Sequence, residues 1–310
     1  MSEIPSEHDV MQACRRLARR LGLGPDVRPA VIGRHSNLAL RLHGTPWVAR
    51  VATGTAGPRA EPAWARREIA LARALQAGGA PVVAPAPGDL AGPHEEGRWR
   101  ITLWSGLDLQ PQPPGAAQAG QALAVCHAVL AALPADLAPG LPAPAAWSPL
   151  DEALALLAQP LVRQRAGADG AWARARLEAV AGGLRAHPAP VQWLHGDAQV
   201  NNVRAEAGGR VIWFDWEDGC RAPLEWDLAG LVGAGRVLGG PEAHWAEAAL
   251  AGWRQAGVAP LDEALLAACV EARALFIVAW TWWLGPDRPD RPERLAARLA
   301  WLRAQAGCMS

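Results

Sequence analysis

The chain has 310 residues, 51% apolar and 19% charged, which supplies ample material for a core and excludes a disordered chain. Thirty acids balance thirty bases, so no net field draws nucleic acid or an anionic membrane. Five scattered cysteines without a CxxC pair argue against a disulfide framework or a zinc site. Residue usage is skewed: there is no Lys and no Tyr, Asn occurs only at Asn37, Asn201 and Asn202, and Trp occurs 16 times.

The first twenty residues carry Glu3, Glu7, Asp9 and four Arg, which does not read as a signal peptide and, with the cysteines, fits the cytoplasm. From Ser6 to Leu23, Val10, Cys14, Leu17 and Leu21 recur at helical spacing behind a Ser6/Asp9 capping box. Val31-Ile32, Leu38–Leu42 and Trp47–Val51 then read as three short antiparallel strands, separated by Gly33–Asn37 and by a turn at Gly44-Thr45-Pro46. A helix is predicted from about Glu61 to Ala77, with Glu68 and the apolar Ile69, Leu71 and Leu75. A Pro-rich connector leads to a strand over Trp99–Trp104 that ends at Ser105-Gly106.

Beyond Gly106 the character turns helical. Residues 115–133 and 150–186 read as helix, Val191–Leu194 as a short β segment, and 225–307 as almost wholly helical. The apolar run Ala274–Gly285 is too short to span a bilayer and reads as a buried helix. A hairpin covers roughly Asn202–Asp215. A two-residue turn at Gly208-Gly209 pairs Val203 with Phe214 and Asn202 with Asp215, and a four-residue loop gives the same register. Opposed residues share a face roughly 4.5–5.5 Å apart. An amide oxygen and a carboxylate thus meet at the open end of the hairpin, a fitting pair of hard ligands for Mg²⁺. Asp197 lies in the entering loop, within reach of a substrate hydroxyl.

His195-Gly196-Asp197, four residues, Asn202, then Phe214-Asp215-Trp216-Glu217 and Glu225-Trp226-Asp227-Leu228-Ala229 stand in this order. In this the chain resembles the aminoglycoside phosphotransferase and choline kinase-like superfamily of small-molecule kinases. The resemblance implies an α+β, bilobal protein-kinase-like fold, with a β-rich nucleotide-binding lobe over 1–106 and a helical lobe with the acceptor site over 107–310. It implies an ATP- and Mg²⁺-dependent kinase, with GTP as an alternative nucleotide, acting on a hydroxyl of a small acceptor. Asp197 would be the base or orienter, Asn202 and Asp215 the metal ligands, Arg50 the phosphate cation and Glu68 its partner. His195 and Asp227 would brace the loop. Asn37, with Ser36, falls in the phosphate-covering loop, where both either donate to phosphate or cap the turn. Thr102–Gly106, including Leu103 and Trp104, falls at the adenine-binding hinge.

The acceptor is left open. Glu217, Asp218 or Glu225 would suit a cationic, aminoglycoside-like acceptor, although Asp218 and Glu225 could equally serve local hydrogen bonds. Trp280 would suit a quaternary cation, but Trp280 and Trp283 share one helical face and also read as a core stripe. A choline, amino-alcohol or sugar kinase, a non-catalytic nucleotide-binding pseudokinase, and nucleotidyl transfer are the alternatives. The reading expects a monomer or homodimer without nucleic-acid or membrane partners. Gln199 stands where the family usually has His.

Overall fold

The computed structural model describes residues 6–34, 37–55, 57–59, 61–285 and 291–307. Helix α1 (Glu7–Arg20) starts where Ser6 Oγ accepts the Asp9 N–H at 3.2 Å, and turns Val10, Cys14 and Leu17 inward. Strands β1 (Arg28–Arg34), β2 (Leu38–His43) and β3 (Trp47–Val51) follow, then α2 (Pro62–Ala77), β4 (His94–Glu96) and β5 (Trp99–Ser105). They form one antiparallel sheet in the order β1-β2-β3-β5-β4. The three-residue β4 escaped the sequence pattern because so short a strand shows no alternation. The register of β1 against β2 slips between Val31 and Gly33, a bulge near the end of the strand.

The rest is mostly helical: α3 (Ala116–Ala131), α4 (Ser148–Ala158), α5 (Pro160–Ala166), α6 (Ala168–Ala186), α7 (Glu225–Leu238), α8 (Pro241–Gln255), α9 (Glu263–Leu284) and α10 (Arg291–Gly307). Between them lie β6 (Gln192–Leu194), β7 (Val203–Ala205), β8 (Val211–Trp213) and β9 (Cys220–Ala222). β6 pairs with β9 and β7 with β8. α9 is long and apolar enough to cross a membrane by length and composition. Its most apolar stretch is 72% buried inside the fold, which makes it a core helix here.

The apolar residues divide into two cores. One gathers Val10, Leu17, Leu40, Leu42, Val51, Ile101 and Leu103 and also takes in Ile212 from β8. The other fills the helical region around Trp193, Trp213, Trp226, Trp253, Leu266 and Leu275. α2 serves both, sending Ile69 and Ala72 to the first and Leu71 and Leu75 to the second.

The β7–β8 hairpin corrects the expected register. Val203 faces Trp213 and Ala205 faces Val211, one residue off the predicted pairing. The turn uses three residues, Ala207–Gly209: the Gly209 N–H donates to Glu206 O at 2.8 Å, and the Glu206 N–H donates to Arg210 O at 2.9 Å. Gly209 takes the left-handed position that such a loop requires (φ +83°). Asn202 therefore lies opposite Phe214, whose N–H donates to Asn202 O at 3.0 Å.

Candidate active site

Asp215, one residue beyond the pairing, has φ +66° and ψ +59°, rare for a residue with a Cβ. In a continuing strand it would point to the face opposite Asn202. The left-handed backbone breaks the alternation, and both residues line one cleft with Asp197.

The loop after β6 is fixed from below. The N–H groups of His195 and Gly196 donate to the two oxygens of Asp227, both at 2.8 Å, and His127 Nε2 donates to Asp227 Oδ2 at 3.0 Å. Trp253 Nε1 donates to His127 Nδ1 at 3.0 Å, which sets that tautomer. Burial works to raise the Asp227 pKa, but the hydrogen bond from His127 and the His195 backbone donor outweigh it, holding the carboxyl below its ordinary range. Gly196 sits at φ +82° with its Cα against the Asp218 carbonyl; a Cβ there would lie 1.9 Å from that oxygen. His195 is tied into the loop: Nδ1 accepts the Asp197 N–H at 3.2 Å, so Nε2 carries the proton and donates to Phe214 O at 3.0 Å. Its burial against Trp213 and Trp216 lowers its pKa and favours the neutral ring.

At the tip, Asp197 is gripped on both oxygens. Oδ1 accepts from Arg273 Nη2 at 2.7 Å; Oδ2 accepts from Asn202 Nδ2 and Gln199 Nε2, both at 2.9 Å. Arg273 also donates to Gly196 O and lies over the rings of Trp226 and Phe276. Because Asn202 spends its NH₂ on Asp197, its amide oxygen is left as an acceptor with no partner among the described residues.

Arg50, on β3, joins the two halves. It bonds Glu68 of α2 at 3.2 Å, Asp215 at 2.8 Å and Glu217 at 2.5 Å. A second buried guanidinium, Arg59, grips Glu152 at 2.9 and 3.1 Å and Asp218 at 2.7 Å, flanked by Trp64 and Trp280. Six carboxyls (Glu68, Glu152, Asp197, Asp215, Glu217, Asp218) thus share three guanidiniums (Arg50, Arg59, Arg273). Burial raises two of these acids, Asp215 to about 7 and Glu68 to about 8, with Arg50 opposing it in each. Burial also raises Glu152. Asp218 moves the other way, below its ordinary range, since Arg59 outweighs its burial.

The excess of acids favours a bound cation. No group of three or more His, Cys, Asp or Glu with metal-binding arrangement occurs among the described residues. The available donors are the Asn202 amide oxygen and the Asp215 carboxylate, hard oxygens that suit Mg²⁺ when nucleotide phosphates and water complete the shell.

Several expected residues take other places. Asn37 is buried, its NH₂ donating to Glu217 at 2.9 and 3.2 Å and its oxygen accepting from Thr53 N and Thr55 Oγ1, both at 2.9 Å. Its donors are not offered to a phosphate. Ser36 lies outside the described residues. Glu217, held by Asn37, Arg50 and Arg59, is a floor strut, and Asp218 is held by Arg59. Glu225 leaves the cleft altogether: it is buried and accepts the Asp262 N–H at 3.2 Å. Leu103 is in the first core, and Trp104 is closed by a hydrogen bond from its Nε1 to Thr102 Oγ1 at 2.9 Å. The Ser105 and Gly106 N–H groups, expected at the hinge, donate to Ala84 O and Pro46 O at 2.8 and 2.7 Å. Trp280 does line the cleft. Arg59, Arg273, Glu152 and His127 were missed. A lone Arg inside the apolar stretch 265–284 was the one signal that could have found Arg273.

Residues 26–269 match the model of a family described as "Phosphotransferase enzyme family". No curated protein matches the sequence. Among solved structures, the chain is similar to the amicoumacin kinase hAmiN in complex with AMP-PNP, Ca²⁺ and Ami. The identity is 14%, the TM-score 0.72, and 96% of each chain is covered. It is also similar to the choline kinase LicA from Streptococcus pneumoniae (14% identity, 96% of this chain and 99% of that one, TM-score 0.68). A third is the aminoglycoside phosphotransferase APH(3'')-Id from Streptomyces rimosus (17% identity, 86% and 98%, TM-score 0.59). At these identities the likeness establishes a shared fold, the bilobal one of the protein-kinase-like small-molecule kinases.

Proposed function

The chain belongs to the phosphotransferase enzyme family, and from that premise we propose that it is an ATP- and Mg²⁺-dependent kinase. It would move the γ-phosphate to a hydroxyl of a small acceptor, with the nucleotide bound against the lobe formed by residues 1–106. One observation carries this reading: Asp197, Asn202 and Asp215 line one cleft, with the Arg50–Glu68 pair reaching into the same carboxylate cluster. The AMP-PNP and Ca²⁺ held by the amicoumacin kinase support a nucleotide and a divalent cation here.

In this reading Asp197 orients the acceptor hydroxyl and takes its proton, while Arg273, Asn202 and Gln199 fix the carboxylate plane. Asn202 ties that plane to the metal position through its NH₂ and offers its oxygen to Mg²⁺ beside Asp215. When bound, Mg²⁺ would neutralise charge on the phosphate oxygens. Arg50 supplies a fixed guanidinium for the phosphates, with Glu68 holding it. Transfer is then a matter of position and charge, without a covalent enzyme intermediate.

A screen of hydroxylated antibiotics, amino alcohols and sugars for acceptor-dependent ADP release tests the proposal. Asp197→Asn should lower kcat about 10²–10⁴-fold while leaving Mg·AMP-PNP affinity within a few fold. Pyrophosphate release in place of ADP, or nucleotide binding without turnover on every acceptor, would overturn it.

A further inference from the structure

We propose that the acceptor is a hydroxyl compound with an apolar body and an anionic end, lying in an arm of the cleft that leads away from Asp197 between α7, α9 and α10. The choice of reacting hydroxyl rests on the phosphoryl-transfer reading above; the arm is argued from its own walls.

The cleft has a volume of about 320 Å³. Its acids, Asp197, Asp215, Glu217 and Asp218, all lie at the phosphate end, and each is held by a guanidinium of the chain. An ammonium group of an acceptor would compete there with guanidiniums already in place and with the Mg²⁺ that Asn202 and Asp215 would hold, which take up the negative charge first. Farther along, the described lining holds no Asp or Glu. α7 and α9 offer small and apolar surface, including Gly233, Val237, Ala274 and Ile277. From Arg273 to Leu284 this wall runs about 16 Å along α9, at the helical rise per residue.

A row of cations points to an anionic ligand at this wall. Trp280, whose ring also flanks Arg59, keeps its indole N–H buried without an acceptor among the described residues. Arg291, Arg294 and Arg298 stand at i, i+3 and i+7 on α10 and line the cleft together. Arg291 donates to Gly285 O at 2.7 Å, which puts the start of that row at the far end of α9. Arg294 pairs with Glu242 at 3.3 Å with both side chains more than a third exposed, and such a pair exchanges partners at little cost. A guanidinium at the end of an apolar slot selects a carboxylate, which it can bind through two parallel N–H donors.

The test uses three probes with the same chain and hydroxyl and different ends: 12-hydroxydodecanoate, its methyl ester and 12-aminododecan-1-ol. Binding to the full-length protein is measured by calorimetry at pH 8 without nucleotide. The acid should bind at least about tenfold tighter than the amine, with the ester between. Arg294→Glu should reduce that preference below about threefold. Gly233 has open space where a Cβ would stand, so Gly233→Phe should fill the arm and abolish binding of all three, with Mg·AMP-PNP binding as the folding control. No binding by any probe, an amine that binds as well as the acid, or a preference unmoved by Arg294→Glu would overturn the proposal. ADP release is read separately. Acid preference without ADP release from any acceptor keeps the arm and sinks the kinase reading; ADP release with the amine and not the acid does the reverse.

Discussion

Asp227 is fully buried and does not line the cleft, yet its two oxygens hold the backbone of the loop that presents Asp197. Replacing it with Ala strands His127 and two buried N–H groups, and should cost about 3–5 kcal/mol in a urea titration. Its depressed pKa gives a sign to the acid limb: the folded carboxyl resists protonation more than the unfolded one, so its contribution is full above the ordinary aspartate value and is lost as the pH falls through the lower folded value. Asp227→Asn should flatten that part of a melting-temperature profile. Glu68 has the opposite sign. With a folded pKa near 8 against an ordinary 4.5, it keeps a proton that the unfolded chain has lost, so its effect is a stability that declines as the pH climbs between those values. Urea midpoints at pH 5.5 and 8.5 should fall in the wild type and fall less in Glu68→Gln. Asp197, Asn202 and Asp215 were legible because one loop and one hairpin carry all three. Arg59 and Arg273 were not, because their partners lie 159 and 76 positions away, and no local spacing encodes such a meeting.

At the level of elements, α3 and α8 cross with almost no space between backbones. A Cβ on Gly120 would lie 1.8 Å from Ala249 O, and one on Gly252 would lie 2.2 Å from Ala117 O. Either Gly→Ala change must force the helices apart and should cost about 1–3 kcal/mol or more by chemical denaturation. This crossing matters to the site because His127 of α3 meets Trp253 of α8 and, through it, is set to hold Asp227. The helices themselves were readable from periodicity, but two glycines in Ala-rich stretches gave no hint of the contact. The hairpin teaches a similar lesson. Its existence followed from Gly208-Gly209, while its register depended on Gly209 alone taking the left-handed position, a choice settled by the pairing of Glu206 with Arg210. The convergence of Asn202 and Asp215 was right for a different reason from the one expected, since the Asp215 backbone supplies it.

Over the whole molecule, the two apolar cores are joined by polar side chains. Asn37, Arg50 and Arg59, all from the first sixty residues, end on Glu152, Asp215, Glu217 and Asp218 beyond residue 150. Arg59→Ala would leave the part-buried Glu152 and Asp218 without their cation and should cost about 2–4 kcal/mol, read as earlier hydrogen exchange in residues 57–59 and at the Asp215–Gly219 turn. The bilobal plan was visible in the change from short strands to long helices after Gly106. The joint was not, since it is built from single residues in loops. The half-buried Arg50 has one more consequence, for chemical probing. Reagents that acylate the phosphate-gripping amine of a kinase would find no side-chain amine anywhere in this lysine-free chain. An arginine-directed dicarbonyl should modify the site instead, slowly while Arg50 stays engaged with its three carboxyls, and nucleotide should slow it further.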